Sequence, residues 1–225
     1  ATSGIGLQVA RCLHADGWVV GLSGRRGDRL SALKDQLGSR VFTQMIDVCR
    51  DDAPQQLLAL IAEMGGAELI FLASGIGKQN SALTPDIELK TVETNALGFT
   101  RILTAAYGYF ASMPTGGHIA VISSIAGTKG LGPAPAYSAT KRFHNTYIQA
   151  LAQLARSQHL PIVFTDIRPG FVDTDLIKGS HFPMLMQPEK VAKTIVCVLY
   201  KQQRSVTIEW RYRLLVFFWR LLPNA

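Results

Sequence analysis

The chain has no apolar run approaching the ~20 residues that a bilayer-spanning helix needs. Its N-terminus shows no basic segment followed by an apolar one, so no secretory leader is visible. Cysteine is scarce: Cys12, Cys49 and Cys197 are odd in number, widely spaced and set in apolar surroundings. That pattern argues against a disulfide framework or a structural zinc site and for reduced thiols in a cytoplasmic setting, with no metal. No internal repeat, low-complexity tract or Pro/Gly/Ser linker divides the chain. A basic helix interleaved with aromatics is also missing, so nothing supports a nucleic-acid partner. Acidic residues are in deficit, 16 against 23 Lys plus Arg. The positive excess is local, at Arg25, Arg26 and Arg29 and at Arg204, Arg211, Arg213 and Arg220. Such patches suit the phosphate of a cofactor and an anionic surface.

What is present is 225 residues, 48% of them apolar, enough for one domain spanning 1–225 with a sizeable core. Strand-like runs at 18–23, 41–46, 68–73, 118–123, 161–167 and 205–210 alternate with helical patterns at about 5–15, 27–37, 52–64, 86–112, 135–159 and 188–202. The alternation predicts an α/β fold, a doubly wound parallel sheet with helices on both faces. Ligands of such sheets lie beyond the carboxyl ends of the strands.

The opening residues Thr2, Ser3, Gly4, Ile5 and Gly6 run straight into a helical segment. Their backbone N–H groups and the positive helix end suit an anion such as a pyrophosphate, though a plain N-cap has the same composition. After the second run stand Gly24, Arg25 and Arg26, where an acidic residue would select a ribose 2′-hydroxyl and an arginine suits a 2′-phosphate; this favours NADP(H) over NAD(H). Asp47 and Val48 end the next strand, and Asp47 reads equally as an adenine contact or a helix cap.

The segment AYSATK puts Tyr137 and Lys141 four residues apart, on one helical face. An ammonium beside a phenol favours the phenolate and suits Tyr137 to general acid/base chemistry. AVISSIAG places Ser124 at a strand end, thirteen residues before Tyr137, and TVETNALG puts Asn95 within a helix.

In combination these residues resemble the short-chain dehydrogenase/reductase family. ATSGIG matches the last two glycines, Gly4 and Gly6, of its Thr-Gly-x-x-x-Gly-x-Gly fingerprint. The remainder, with the central strand that precedes it, is expected upstream of Ala1, so Ala1 is not expected to be the biological start. The family's Asn, Ser, Tyr and Lys tetrad falls on Asn95, Ser124, Tyr137 and Lys141. RPGFVDTD matches the motif beside the nicotinamide at Pro169, Gly170, Val172 and Thr174. One departure is visible: the family's Asn-Asn-Ala-Gly reads Leu72, Ala73, Ser74 and Gly75, so a bracing asparagine is lost, while Ser74 and Gly75 remain cofactor contacts. The resemblance implies a Rossmann-type fold and NADP(H)-dependent reduction of a ketone or other carbonyl to a secondary alcohol. It gives Tyr137 as proton donor, Ser124 bonded to the same oxygen, Lys141 on the ribose, and Asn95 holding a relay water. A homodimer or homotetramer is expected. A catalytically silent NADP-sensing regulatory or scaffold protein on the same fold is the alternative.

Two apolar segments bear on the substrate. The stretch 170–188 carries Phe171, Leu176, Ile177, Phe182, Met184, Leu185 and Met186, suited to a lid over a hydrophobic substrate or to packing on the protein itself. The tail, about 211–225, combines Leu214, Leu215, Val216, Phe217, Phe218, Trp219, Leu221 and Leu222 with three arginines. It reads either as a packed element or as an interfacial helix on anionic lipid, peripheral at the inner face of a membrane, which makes a lipid-linked substrate conceivable.

Overall fold

A computed structural model describes residues 2–177 and 182–223. Ala1, four residues of the expected lid (178–181) and the last two of the tail lie outside the described residues. Six parallel strands are present: β1 (Val20–Gly24), β2 (Val41–Met45), β3 (Leu69–Leu72), β4 (Gly117–Ile122), β5 (Ile162–Arg168) and β6 (Ser205–Thr207). Around them pack α1 (Gly4–Ala15), α2 (Gly27–Leu37), α3 (Ala53–Glu63), α4 (Pro85–Val92), α5 (Phe99–Ala111), α6 (Pro135–Ser157), α7 (Pro188–Tyr200) and α8 (Trp210–Leu221). Proline opens α4, α6 and α7 within the first two positions, where its missing N–H is no loss.

Side-chain alternation along the buried strands feeds two cores. Ile119 and Val121 of β4 join Phe99, Leu103 and Ile148 on the α3/α5/α6 face, while Ala120 and Ile122 join Val9, Ile167 and Ile195 on the α1/α7 face. Near-continuous burial along β4 and β5 is what a parallel sheet covered on both sides demands.

The sheet is not continuous. Its strands form two blocks, β1-β2 and β3-β4-β5-β6, and among the described residues neither β1 nor β3 has a second ladder partner. A cavity of about 140 Å³ lies between them, lined by Val20 and Leu22 of β1, Leu69 and Phe71 of β3, and Val9 and Leu60 from the helices either side.

Two element boundaries differ from expectation. The helix expected over 86–112 is interrupted by a π-helical turn, Glu93–Gly98, between α4 and α5. The run at 205–210 is strand only as far as Thr207, because Glu209 adopts φ 72° and turns the chain, and Trp210 already belongs to α8.

Candidate active site

Every loop at the carboxyl edge of the strands contributes to one region. Ser3 is the extended N-cap of α1 and Gly4 sits at φ 59°, a left-handed conformation that suits glycine. Gly6 is buried and Ile5 packs on the core. A Cβ on Gly4 would meet Thr174 Cγ2 at 3.4 Å, so the helix start and the segment after β5 lie side by side. Gly24 ends β1. Arg26, at the start of α2, donates to Thr2 Oγ1 at 3.0 and 2.7 Å and to Ser3 Oγ at 2.8 Å, whereas Arg25 is exposed. The two arginines are therefore not equivalent: one braces the α1 loop and the other faces outward.

Asp47 Oδ1 accepts the N–H of Cys49 at 3.1 Å in a local turn; it does not cap α3, whose N-cap is Asp52. Val48 packs so closely on the π turn that a Cβ on Gly98 would lie 2.8 Å from its carbonyl oxygen. After β5, the carbonyl of Pro169 accepts from Ile125 N–H at 3.1 Å, and Val172 bridges to Met186. Gly170 lies beneath the Tyr212 ring, which fills the space that a Cβ there would need.

The four tetrad positions converge. Asn95 is fully buried in the π turn; such turns insert one residue into a helix and redirect side chains. Its Oδ1 accepts Ile76 N–H at 2.8 Å, and its Nδ2 donates to Ile76 C=O at 2.7 Å and Thr140 Oγ1 at 3.1 Å. The loop after β3 is thus gripped by Asn95, a brace in place of the asparagine missing near Ser74. Gly75 lies at the same point: a Cβ there would stand 3.3 Å from Lys141 Nζ and 3.4 Å from Asn95 Oδ1. Lys141 Nζ donates to Ile122 C=O at 3.1 Å and lies 5.8 Å from the centroid of the Tyr137 ring. Ser124 caps the turn after β4 by accepting Ala126 N–H at 3.1 Å, and it also hydrogen-bonds to Tyr137.

Several members of the site carry no motif. Gly77 abuts the Tyr137 ring. Glu88 of α4 accepts Ala136 N–H at 2.8 Å and Asn80 Nδ2 at 2.8 Å, fixing the start of α6 just before Tyr137. His144 is fully buried and its Nε2 lies 2.6 Å from the backbone carbonyl of Asn95. Beneath the site, Asp166 accepts from Ser123, from Asn145 at 2.9 Å and from Arg168 at 2.8 and 2.6 Å. His144 and Asn145 follow Lys141 by three and four residues, a helical repetition of polar groups on a buried face that could have flagged them.

The electrostatics correct one expectation. Burial holds the Tyr137 phenol above its ordinary value of 10.0, with the Ser124 hydrogen bond pulling the other way, so desolvation prevails. Burial also pushes Lys141 down to about 8, opposed by Asp166. The pocket brings both groups closer to neutrality than the helix spacing alone suggests.

The stretch 170–188 folds partly on itself. Phe171 stacks on Phe182 at 4.1 Å between centroids and Met186 is buried, while Leu176 and Leu185 are exposed. Tyr212 Oη of α8 accepts Phe171 N–H at 3.1 Å and donates to Met184 C=O at 2.9 Å. The tail is therefore packed along Tyr212 and Val216, as one reading held, yet Trp210, Leu214, Phe217, Phe218 and Leu221 project outward. No described helix is long and apolar enough to cross a membrane.

The sequence profile of short chain dehydrogenases matches residues 1–181. An uncharacterised oxidoreductase of Myxococcus xanthus is 31% identical over 232 residues, covering 100% of this chain and 90% of its own. A farnesol dehydrogenase of Aedes aegypti is 27% identical over 214 residues, 88% of this chain and 86% of its own. Among solved structures, a short-chain dehydrogenase from Sphingobium yanoikuyae in complex with NADPH superposes with a TM-score of 0.82 at 19% identity, covering 100% of this chain and 94% of its own.

Proposed function

Since the chain belongs to the short-chain dehydrogenase family and is an NAD(P)-dependent oxidoreductase acting between CH–OH and C=O, we propose that it uses NADP(H) to reduce a hydrophobic or lipid-linked ketone to a secondary alcohol. The observation that carries this reading is the convergence of Asn95, Ser124, Tyr137 and Lys141 beyond the strand ends, with Gly75 leaving the lysine uncovered.

The residues fit a nicotinamide dinucleotide. The left-handed Gly4 opens α1 next to Thr174, and a side chain at Gly75 would crowd Lys141 and Asn95. Arg25, exposed beyond β1, is the group to meet a 2′-phosphate. When bound, the cofactor supplies the hydride. Tyr137 gives its phenolic proton to the substrate oxygen as negative charge develops there, and Ser124 donates a hydrogen bond to that oxygen. The raised phenol keeps Tyr137 protonated near neutrality, the form that reduction requires. Lys141 orients the ribose and favours the phenolate once the proton has left.

Support for an apolar substrate comes from the exposed Leu176 and Leu185 of the segment after β5 and from the relative named for farnesol, a long apolar alcohol. The outward apolar side of α8, with Arg211, Arg213 and Arg220 on the same helix, is the segment by which the enzyme would meet an anionic membrane carrying such a substrate.

One screen tests the whole reading. NADPH oxidation is followed over apolar ketones, keto-sphingoid bases and polyprenyl-linked keto-sugars, with and without phosphatidylglycerol vesicles, in the protein and in Tyr137→Phe. Turnover should fall about 10²–10⁴-fold in Tyr137→Phe with NADPH binding retained. Equal turnover in that variant would sink the mechanism, and indifference to vesicles would remove the membrane contact.

A further inference from the structure

His144 lies between two of the four converging residues and is used by none of the chemistry above. Its ring stacks flat on Phe99, 3.8 Å between centroids and 8° between planes, and is fully buried. One nitrogen, Nε2, lies 2.6 Å from the carbonyl oxygen of Asn95; the other, Nδ1, lies 3.5 Å from Lys141 Nζ. A carbonyl only accepts, so Nε2 carries the proton and Nδ1 is left with a lone pair aimed at the ammonium. An ammonium has three donors. Ile122 C=O takes one and His144 Nδ1 a second by a long contact, leaving one for the side where Gly75 and Tyr137 lie.

We propose that His144 is a positioning residue for Lys141: an imidazole locked by Asn95 and Phe99 that holds the ammonium in place for Tyr137 and ends the hydrogen-bond chain at that point. It does not carry a proton onward, because passing one through the ring would require Nε2 to release its own to an amide carbonyl, which is no base. The inference rests on the proposed role of Tyr137 as the proton donor.

The surroundings leave few other charges to do this. Lys141 faces the imidazole from α6 itself, Asp166 and Arg168 lie on β5 and pair with each other, and Glu93, the acidic residue of the π turn, is exposed. Burial, and then the charge of Lys141, push His144 down to about 3, so the ring stays neutral and its lone pair stays available throughout the working range.

The test is a pH titration of phenolate absorbance, taken as the difference between each protein and the same protein bearing Tyr137→Phe, so that only Tyr137 is read. His144→Leu fills the ring's space but offers Lys141 nothing; His144→Asn can place Oδ1 where Nδ1 stands. The midpoint should move up by about one unit in His144→Leu and stay close to the parent in His144→Asn. An unchanged midpoint in a folded His144→Leu overturns the inference. Should that variant not fold, nitrogen NMR decides in its place: the Nδ1 resonance of His144 must shift in Lys141→Met, and no shift there is equally fatal. Neither measurement needs turnover. Activity surviving in Tyr137→Phe would therefore refute the mechanism without touching the His144–Lys141 pairing, and an unmoved midpoint beside an inactive Tyr137→Phe would refute the pairing alone.

Discussion

A Cβ built on Gly77 would stand 2.4 Å from Cδ2 of Tyr137, so the loop after β3 is in direct contact with the phenol ring and tolerates no side chain there. Gly77→Ala should push the ring from its place against Ser124. We expect kcat to fall about 10²-fold, the order that a displacement of about 1 Å costs, with NADPH affinity nearly unchanged. Steady-state kinetics alongside a fluorescence titration of NADPH separates the two.

The two arginines after β1 should separate in the same way as their contacts. Arg25→Asp is expected to weaken NADPH by about 10-fold or more while barely changing NADH, since a charged hydrogen bond of about 1.5–3 kcal/mol is lost only with the phosphorylated ribose. Arg26→Ala removes the hold on Thr2 and Ser3 and should weaken both cofactors alike. Dissociation constants for the two cofactors in both variants check this, and equal losses in Arg25→Asp would leave the 2′-phosphate contact without support.

Tyr212→Phe keeps the ring over Gly170 but deletes the hydroxyl that serves Phe171 N–H and Met184 C=O. Two partly buried backbone groups then lose their partner, at a cost of about 1–3 kcal/mol. The melting temperature should drop by roughly 3–10 °C for a domain of this size, and KM should rise more than kcat falls, because the loosened segment is the expected lid.

Acid should destabilise the fold through two histidines. Burial pushes His118 down to about 4 and His144 down to about 3. The unfolded chain takes up a proton on each as pH falls through 6.5, whereas the native chain does so only near those lower values. Stability is therefore lost progressively below pH 6.5, by about 2 kcal/mol per histidine at pH 5. Lys141 acts on the alkaline side with the same sign: the native lysine is deprotonated from about pH 8 and the unfolded one only near 10.5, so its contribution grows more favourable between those values. Denaturant melts at stepped pH would reveal both limbs; a flat acid limb in a His118→Gln, His144→Asn double variant identifies the source.

Local chemistry made the strand–helix alternation readable, and the fixed turn of a helix made Tyr137 and Lys141 neighbours on paper. Ser124 followed from its place at a strand end. What could not be read depends on contacts far apart in the chain. The family resemblance picks out Asn95 but not its burial: the π turn that buries it forms where Gly98 is pressed against the carbonyl of Val48, fifty residues away. Gly77 carries no motif because its requirement is set by a ring on α6. The strand expected through Trp210 failed because Ile208 and Trp210 are apolar for different reasons: one is buried beside β5, the other is exposed on α8. The phenol's rise was equally hidden, since a sequence displays the lysine four residues on and conceals the burial of the ring.

The seam between β1 and β3 has a practical consequence for handling this chain. Two strand edges face each other across an apolar cavity without a ladder, and such edges pair readily with any extended peptide that reaches them. An extended segment seated there would meet open backbone groups on both sides.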